Sequence, residues 1–174
     1  MKKINFVLIF LSLAIVIICY LFLIYTKNTK TSPHRITPSP TISDQKLKSF
    51  KSQYLNFTLE LPVTYDIKDG TTSVIIDYNQ DQIIVVRNGT GFSDLKSYLE
   101  EFDKRNKWII IDENNLMISN YQSVMRMFKR SQDSITKEKI YFIYTNYSIY
   151  KLSTTSENLF GILDQMAKSF RYTP

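Results

Sequence analysis

The chain has 174 residues, a mass of 20.5 kDa and a formal net charge of +6. Residues 1–43 hold Lys2, Lys3, Lys27, Lys30 and Arg35 with no acid, so residues 44–174, with 17 basic and 16 acidic side chains, are nearly neutral. This excludes a phosphate-tracking nucleic-acid surface, which needs a concentrated basic face. Cys19 and His34 are the only cysteine and histidine, and both precede residue 44, so the rest of the chain has no disulfide, thiolate metal site, Ser-His-Asp or Cys-His arrangement.

Ile4 to Tyr25, "INFVLIFLSLAIVIICYLFLIY", carries no charge and only Asn5, Ser12 and Cys19 as small polar interruptions. As a helix it spans roughly 33 Å, enough to cross a hydrocarbon layer of about 30 Å. A cleaved signal peptide has a shorter apolar run and a small-x-small cleavage site. Lipid attachment at Cys19 needs a small residue just before it, where this chain has Ile18. A pilin-like subunit would show a glycine-phenylalanine processing site followed by glutamate, which this segment lacks. We therefore expect residues 1–3 as a cytoplasmic N-terminus and 4–25 as a single-pass signal anchor. Residues 26–45, with Pro33, Pro38 and Pro40 among Ser and Thr, read as an extended stalk. Lysines flank the apolar run on both sides, so the positive-inside rule alone does not orient it; the stalk composition places residues 46–174 outside the cytoplasm as one domain. The basic stalk suits anionic lipid head groups.

In the domain, "LNFTLEL" places Leu55, Phe57, Leu59 and Leu61 on one face and Asn56, Thr58 and Glu60 on the other, the period of a half-buried strand. Pro62 ends it and Val63–Ile67 continues after a bend, which reads as an edge or near-edge strand. Ser73–Tyr78 and Gln82–Arg87 form a hairpin around Asn79-Gln80-Asp81. Ser93–Asn106 is an amphipathic helix with Leu95, Tyr98, Leu99 and Phe102 on its apolar face and Ser93 as N-cap. Trp108–Ile111 and Leu116–Ser119 flank Asp112-Glu-Asn-Asn115, which predicts a second hairpin. Tyr121–Arg130 is a strand, and the wholly apolar Ile140–Tyr144 is a central one. Tyr147–Ser153 follows a turn at Thr145-Asn146. Thr154–Phe170 closes the chain as a helix with a capping box at Thr154 and Glu157 and a stripe of Leu159, Ile162, Leu163, Met166, Ala167 and Phe170. Gly161 within it is expected to mark close approach to a strand.

Strands, a helix, more strands and a closing helix make an α+β fold in which an antiparallel sheet is covered by helices. "YLNFTLELPVTYDI" resembles the opening of PsbP-like domains, and "YKLSTTSENLFGILDQMAKSFRY" resembles their close; the likeness spans most of residues 50–172. That family includes extrinsic subunits of photosystem II and many bacterial membrane-anchored or lipid-anchored proteins. The resemblance implies an α/β/α sandwich that binds or stabilises partners, with no catalytic or cofactor residue to carry over.

Individual motifs support little chemistry. Glu100, Glu101 and Asp103 read as the solvated face of a helix, with Glu100/Lys104 and Glu101/Arg105 as favourable pairs. Asp77-x-Asn79-x-Asp81 imitates a calcium loop, but Gln82 stands where glycine is needed and Asn88 where glutamate is. Gly89-Thr-Gly91 lacks the rest of a phosphate cradle. Arg126, Lys129 and Arg130 read as a solvated strand end. Tyr141, Tyr144, Tyr147 and Tyr150 are expected to divide by parity into two pairs on opposite sheet faces. Any exposed remainder, with Trp108, would suit a partner-binding patch. Asn56-Phe-Thr, Asn88-Gly-Thr and Asn146-Tyr-Ser match the glycosylation acceptor pattern.

The expectation is a cell-membrane protein presenting a non-catalytic module that binds an envelope protein, with no catalytic residue, metal or cofactor. Its rival is an envelope enzyme or small-ligand receptor with a pocket between sheet and helix. The full-length chain is expected to stay in the membrane pellet after alkaline carbonate extraction, and a chain beginning at Thr26 to be released. Extraction of the full-length chain would overturn the anchor.

Overall fold

The computed structural model describes residues 46–89, 91–146 and 148–174. The expected anchor (4–25) and stalk (26–45) lie outside these, and no helix among the described residues is long and apolar enough to cross a membrane. In chain order the elements are β1 (Leu47–Lys51), β2 (Phe57–Pro62), β3 (Asp66–Asp69), β4 (Ser73–Tyr78), β5 (Asp81–Gly89) and α1 (Leu95–Asn106). They continue with β6 (Ile109–Ile118), β7 (Tyr121–Lys129), β8 (Lys137–Thr145), β9 (Ser148–Thr154), a 3-10 turn (Glu157–Leu159), α2 (Phe160–Ser169) and β10 (Arg171–Tyr172).

The strands form two antiparallel sheets rather than one. A seven-stranded sheet has the order β3-β4-β5-β9-β8-β7-β6, and a three-stranded sheet has the order β1-β2-β10. β2 is thus the middle strand of the small sheet, paired with Leu47–Lys51 on one side and Arg171–Tyr172 on the other. The edge position expected for it is wrong, because both of its neighbours are short segments without a clear apolar period.

Strand β8 explains the layering. Tyr141 and Ile143 point into one core with Phe57, Leu59, Tyr150, Leu163 and Phe170, while Ile140 and Phe142 point into another with Leu95, Leu99, Val124 and Phe128. The small sheet and α2 therefore cover one face of the large sheet, and α1 lies on the other. The α2 stripe, Leu159, Ile162, Leu163, Met166, Ala167 and Phe170, is buried throughout as its spacing predicts. Phe57 is fully buried, its ring stacked on Phe170 at 5.6 Å and edge-on to Tyr150 at 5.8 Å. The Tyr150 hydroxyl donates to the Leu55 carbonyl and so ties the two sheets together.

Several local expectations change. Asp112–Asn115 is no turn: β6 runs unbroken past it as an edge strand with solvent on both faces, where polar residues cost nothing. The reversal is at Ser119-Asn120, whose φ values of 52° and 70° suit a tight two-residue hairpin. Thr154 ends β9 instead of capping a helix. Its hydroxyl donates to the Gln82 carbonyl at 2.6 Å and accepts from the Ser156 N–H at 3.2 Å, so no capping box forms with Glu157. Gly161 lies on the exposed side of α2. The tyrosine parity also fails, because Ile143 pairs with Tyr150 and Tyr141 with Leu152. A two-residue turn makes paired positions differ in parity, so Tyr141 and Tyr150 share a face and Tyr144 takes the other.

Burial pushes the Tyr65 hydroxyl up to about 12, helped by Tyr78 and Asp81, and burial likewise pushes Tyr150 up to about 12. An unfolded tyrosine titrates near 10. Each group therefore contributes fully below about pH 10, and its contribution is lost as the pH rises from about 10 to about 12. Thermal melts are expected to hold steady up to about pH 9.5 and then fall. Tyr150→Phe should flatten that fall, and at neutral pH it should cost about 1–2 kcal/mol by leaving the Leu55 carbonyl without its donor. An unchanged alkaline slope would show that Tyr150 is not protected.

Candidate functional site

Helix α1 is placed by its two ends and one aromatic cluster. Its N-cap is Asp94 rather than Ser93: the Asp94 carboxylate accepts the Ser97 N–H at 2.8 Å and the Ser93 and Ser97 hydroxyls at 3.0 and 3.2 Å. Those bonds, the Ser97 N–H first, hold this carboxyl below the usual carboxylate range. At the other end Lys107 adopts a left-handed conformation, φ 52°, and its N–H reaches the Asp103 carbonyl at 2.9 Å. The chain then turns straight into β6. Phe102 meets Phe142 at 5.1 Å and Trp108 at 5.6 Å, Trp108 meets Phe128 at 5.5 Å, and the Arg130 guanidinium lies over Trp108 at 5.5 Å. On another side of the helix Tyr144 donates to the Ser93 carbonyl at 2.9 Å.

These contacts pin α1 over β7, β8 and β9, and a gap opens between the start of the helix and the turn end of the β6–β7 hairpin. The gap is an open cleft of about 700 Å³. Leu95 and Leu99 form its helical wall, Val124 and Gln122 its floor on β7, and Asn115 and Met117 its outer rim on β6. Pockets of this size hold small ligands or peptide side chains.

One end of the cleft is closed by charge. Arg126 Nε lies 2.6 Å from Glu113 and its Nη1 lies 2.8 Å from Asp103, so one guanidinium joins β6, β7 and α1. The Arg126 side chain is 8% exposed, against 39% for Asp103 and 37% for Glu113, so the cation is desolvated while its partners keep water on their outer sides. A bridge of this kind positions elements at least as much as it stabilises them. Lys96 and Glu100 continue the polar lining along α1.

The sequence reading missed this cluster. Arg126 was expected at a solvated strand end and Asp103 on the wet face of a helix; they meet because α1 crosses β7 at that point. The only local hint was a cation set among the apolar residues Val124, Met125, Met127 and Phe128. Glu101 does behave as expected, with Arg105 Nε at 2.8 Å. Asp77 is occupied by the hairpin: Lys68 Nζ at 2.8 Å and the Gln82 amide at 2.8 Å hold its carboxyl below the usual range, Lys68 contributing most. Asn79, with φ 55°, makes the turn. Among the described residues no group of three or more His, Cys, Asp or Glu side chains is arranged to hold a metal ion.

Among the described tyrosines of the 141–150 run, two add nothing to a surface patch. Tyr141 and Tyr150 are buried, Tyr141 donating to Asp164 at 2.7 Å; burial and that bond push its hydroxyl well above the ordinary tyrosine value. Trp108 is half-buried beneath Arg130. Of the acceptor-pattern asparagines, Asn56 is left-handed with φ 58°, the Asn88 amide donates to Tyr98 at 3.4 Å, and Asn146 is exposed.

With the two sheets and their helices in place, the fold is PsbP-like. The chain is similar to the solution structure of the cyanobacterial PsbP protein CyanoP of Synechocystis, with a TM-score of 0.54 at 7% identity over 76% of this chain and 95% of that one. It is also similar to a crystal structure from Bacteroides thetaiotaomicron, with a TM-score of 0.52 at 12% identity over 73% of this chain and 48% of that one. No protein-family model and no curated protein sequence matches it. At such identities the likeness is one of fold.

Replacing Arg126 by Met should cost about 1–3 kcal/mol, since two carboxylates lose charged hydrogen bonds but keep solvent. Combining it with Asp103→Asn and Glu113→Gln should recover part of that loss. Denaturant midpoints check both, and additive losses in the triple variant would show that the three groups do not act as one bridge.

Proposed function

We propose that the chain is a membrane-anchored, extracytoplasmic accessory module that is not an enzyme and that binds an envelope protein through the cleft between α1 and the β6–β7 hairpin. The observation that carries this is the open cleft at the end of the sheet: Leu95, Leu99 and Val124 line its base, and Met117 on its rim is 62% exposed. Apolar surface left beside a pinned helix suits an apolar side chain or short segment of a partner. The paired charges at the closed end are suited to reading the polar flank of that segment. The resemblance to PsbP-like domains, which bind or stabilise partners, and the long apolar run at 4–25 support the same reading.

The non-catalytic part rests on residue chemistry. The domain has no histidine or cysteine, and the two carboxylates at the closed end of the cleft, Asp103 and Glu113, are both engaged by Arg126. A proton carrier needs a group free to meet its substrate, and of the carboxylates lining the cleft only Glu100 is not held by Arg126. The same cleft also favours a second reading, a small-ligand receptor, because it is the pocket between sheet and helix that such a receptor requires.

A photoreactive side chain at Met117, in the full-length chain in native membranes, is expected to capture reproducibly one protein other than a second copy of this chain. Gln122→Arg, at the exposed position paired with Met117, should reduce that capture at least tenfold with little change in melting temperature. Capture of no protein counts against partner binding and turns attention to a small ligand.

A further inference from the structure

The large sheet ends in two very different edges. β3 is four residues long and carries Asp66, Lys68 and Asp69, which is how natural sheets discourage added strands. β6 is ten residues long, pairs among the described residues only with β7, and exposes Ile109, Ile110 and Ile111 at 38%, 40% and 45% and Met117 at 62%. Its sequence, Ile-Ile-Ile-Asp-Glu-Asn-Asn-Leu-Met-Ile, is apolar at both ends and polar in the middle. Such an edge is a template for another strand.

We infer that β6 pairs antiparallel with β6 of a second copy of this chain, about a two-fold axis at Asn114, so that the two large sheets become one. The pattern is self-complementary, as an isologous two-fold contact requires. A two-fold perpendicular to the sheet keeps each residue on its own face, so paired positions must have the same parity wherever the strand is regular. Centred on Asn114, this sets Glu113 opposite Asn115 of the second copy and Asp112 opposite Leu116. No acid then faces an acid, and each Glu113 meets an amide able to donate to it.

The bulge completes the match. β6 carries an extra residue at Ile111, since Ile110 pairs with Phe128 and Asp112 with Met127. Counting past it, the Ile110–Ile111 bulge falls opposite Met117 and Ile109 falls opposite Ile118. The apolar ends therefore meet across the axis while the polar centres meet each other. The helices α1 of both copies lie on the same side of the joined sheet. Their clefts then face each other across the axis, and each Met117 gains Ile110 from the other copy as a neighbour. The dimer stands independently of what the cleft binds.

The test uses the full-length chain in native membranes with Cys19→Ser as background. Facing residues of an antiparallel pair lie about 4.5–5.5 Å apart at Cα, within disulfide reach. Asn114→Cys is expected to give a disulfide-linked dimer on mild oxidation, while Asp66→Cys on the opposite edge gives none. Adding Ile110→Lys and Ile111→Lys should lower the Asn114→Cys dimer at least tenfold; both side chains are exposed, and a thermal melt confirms that the domain still folds. Sedimentation of detergent-solubilised protein, with and without those lysines, gives a readout that needs no cysteine. Equal crosslinking at positions 114 and 66, a monomer in sedimentation, or a mixed disulfide of Asn114→Cys with a different protein would each overturn the self-pairing.

Discussion

Strand β8 sends Ile140 and Phe142 to one side of the sheet and Tyr141 and Ile143 to the other, and all four are buried. A sheet apolar on both faces has to be covered on both, which is the requirement the remaining architecture answers. On one side the answer is broad: the small sheet and α2 together bury Phe57, Leu59, Leu61, Leu163 and Phe170. On the other it is narrow. A helix is about 10 Å wide, whereas seven strands at about 4.8 Å span roughly 30 Å. One twelve-residue helix cannot cover that face, so some of it stays open. The cleft and the bare β6 edge follow from this mismatch in width.

The open part is not left unmanaged. Arg126 emerges from β7 at the border of the covered region, where a cation would face a heavy desolvation cost if unpaired. Asp103 from the helix and Glu113 from the edge strand each supply an oxygen to it. The bridge thereby sets how far the helix stands from the edge hairpin, and so the width of the cleft. On the opposite side of the sheet Lys139 and Tyr141 both reach Asp164 on α2, at 2.6 and 2.7 Å, which anchors the second helix in a comparable way. Each helix is thus fixed by an apolar stripe and by a charge at its margin.

The two edges show how sequence composition and placement combine. A short charged strand at β3 closes the sheet, and a long strand with an apolar-polar-apolar pattern leaves the other end available. The bulge at Ile111 twists the edge locally, which in other proteins discourages pairing; here it brings the apolar ends of two copies into register. The protein thus has two adjacent surfaces on one hairpin, a cleft facing the helix and an edge facing outward.

What could be read from the sequence was what depends on near neighbours. The alternation in Phe57–Leu61, the helical stripe from Leu159 to Phe170 and the hairpin at Asn79 were legible because each arises from periods of two or 3.6 residues and from turn chemistry. The motifs that resemble PsbP-like domains were legible for the same reason, and the fold agrees with them. Strand β1 and the two-residue β10 were not legible, since their backbone bonds to β2 matter more than their side chains. The long β6 was mistaken for a hairpin because its polar centre has turn composition, and only an edge position lets a strand carry it. The meeting of Arg126 with Asp103 was likewise invisible: the residues lie 23 positions apart, and their contact exists only once α1 has folded back over β7. Local periodicity therefore determined the elements and their buried faces. The tertiary structure decided which strands lie at the edges, where the narrow helix leaves the sheet bare, and which charges are buried together, because each of these depends on how far one element reaches across another.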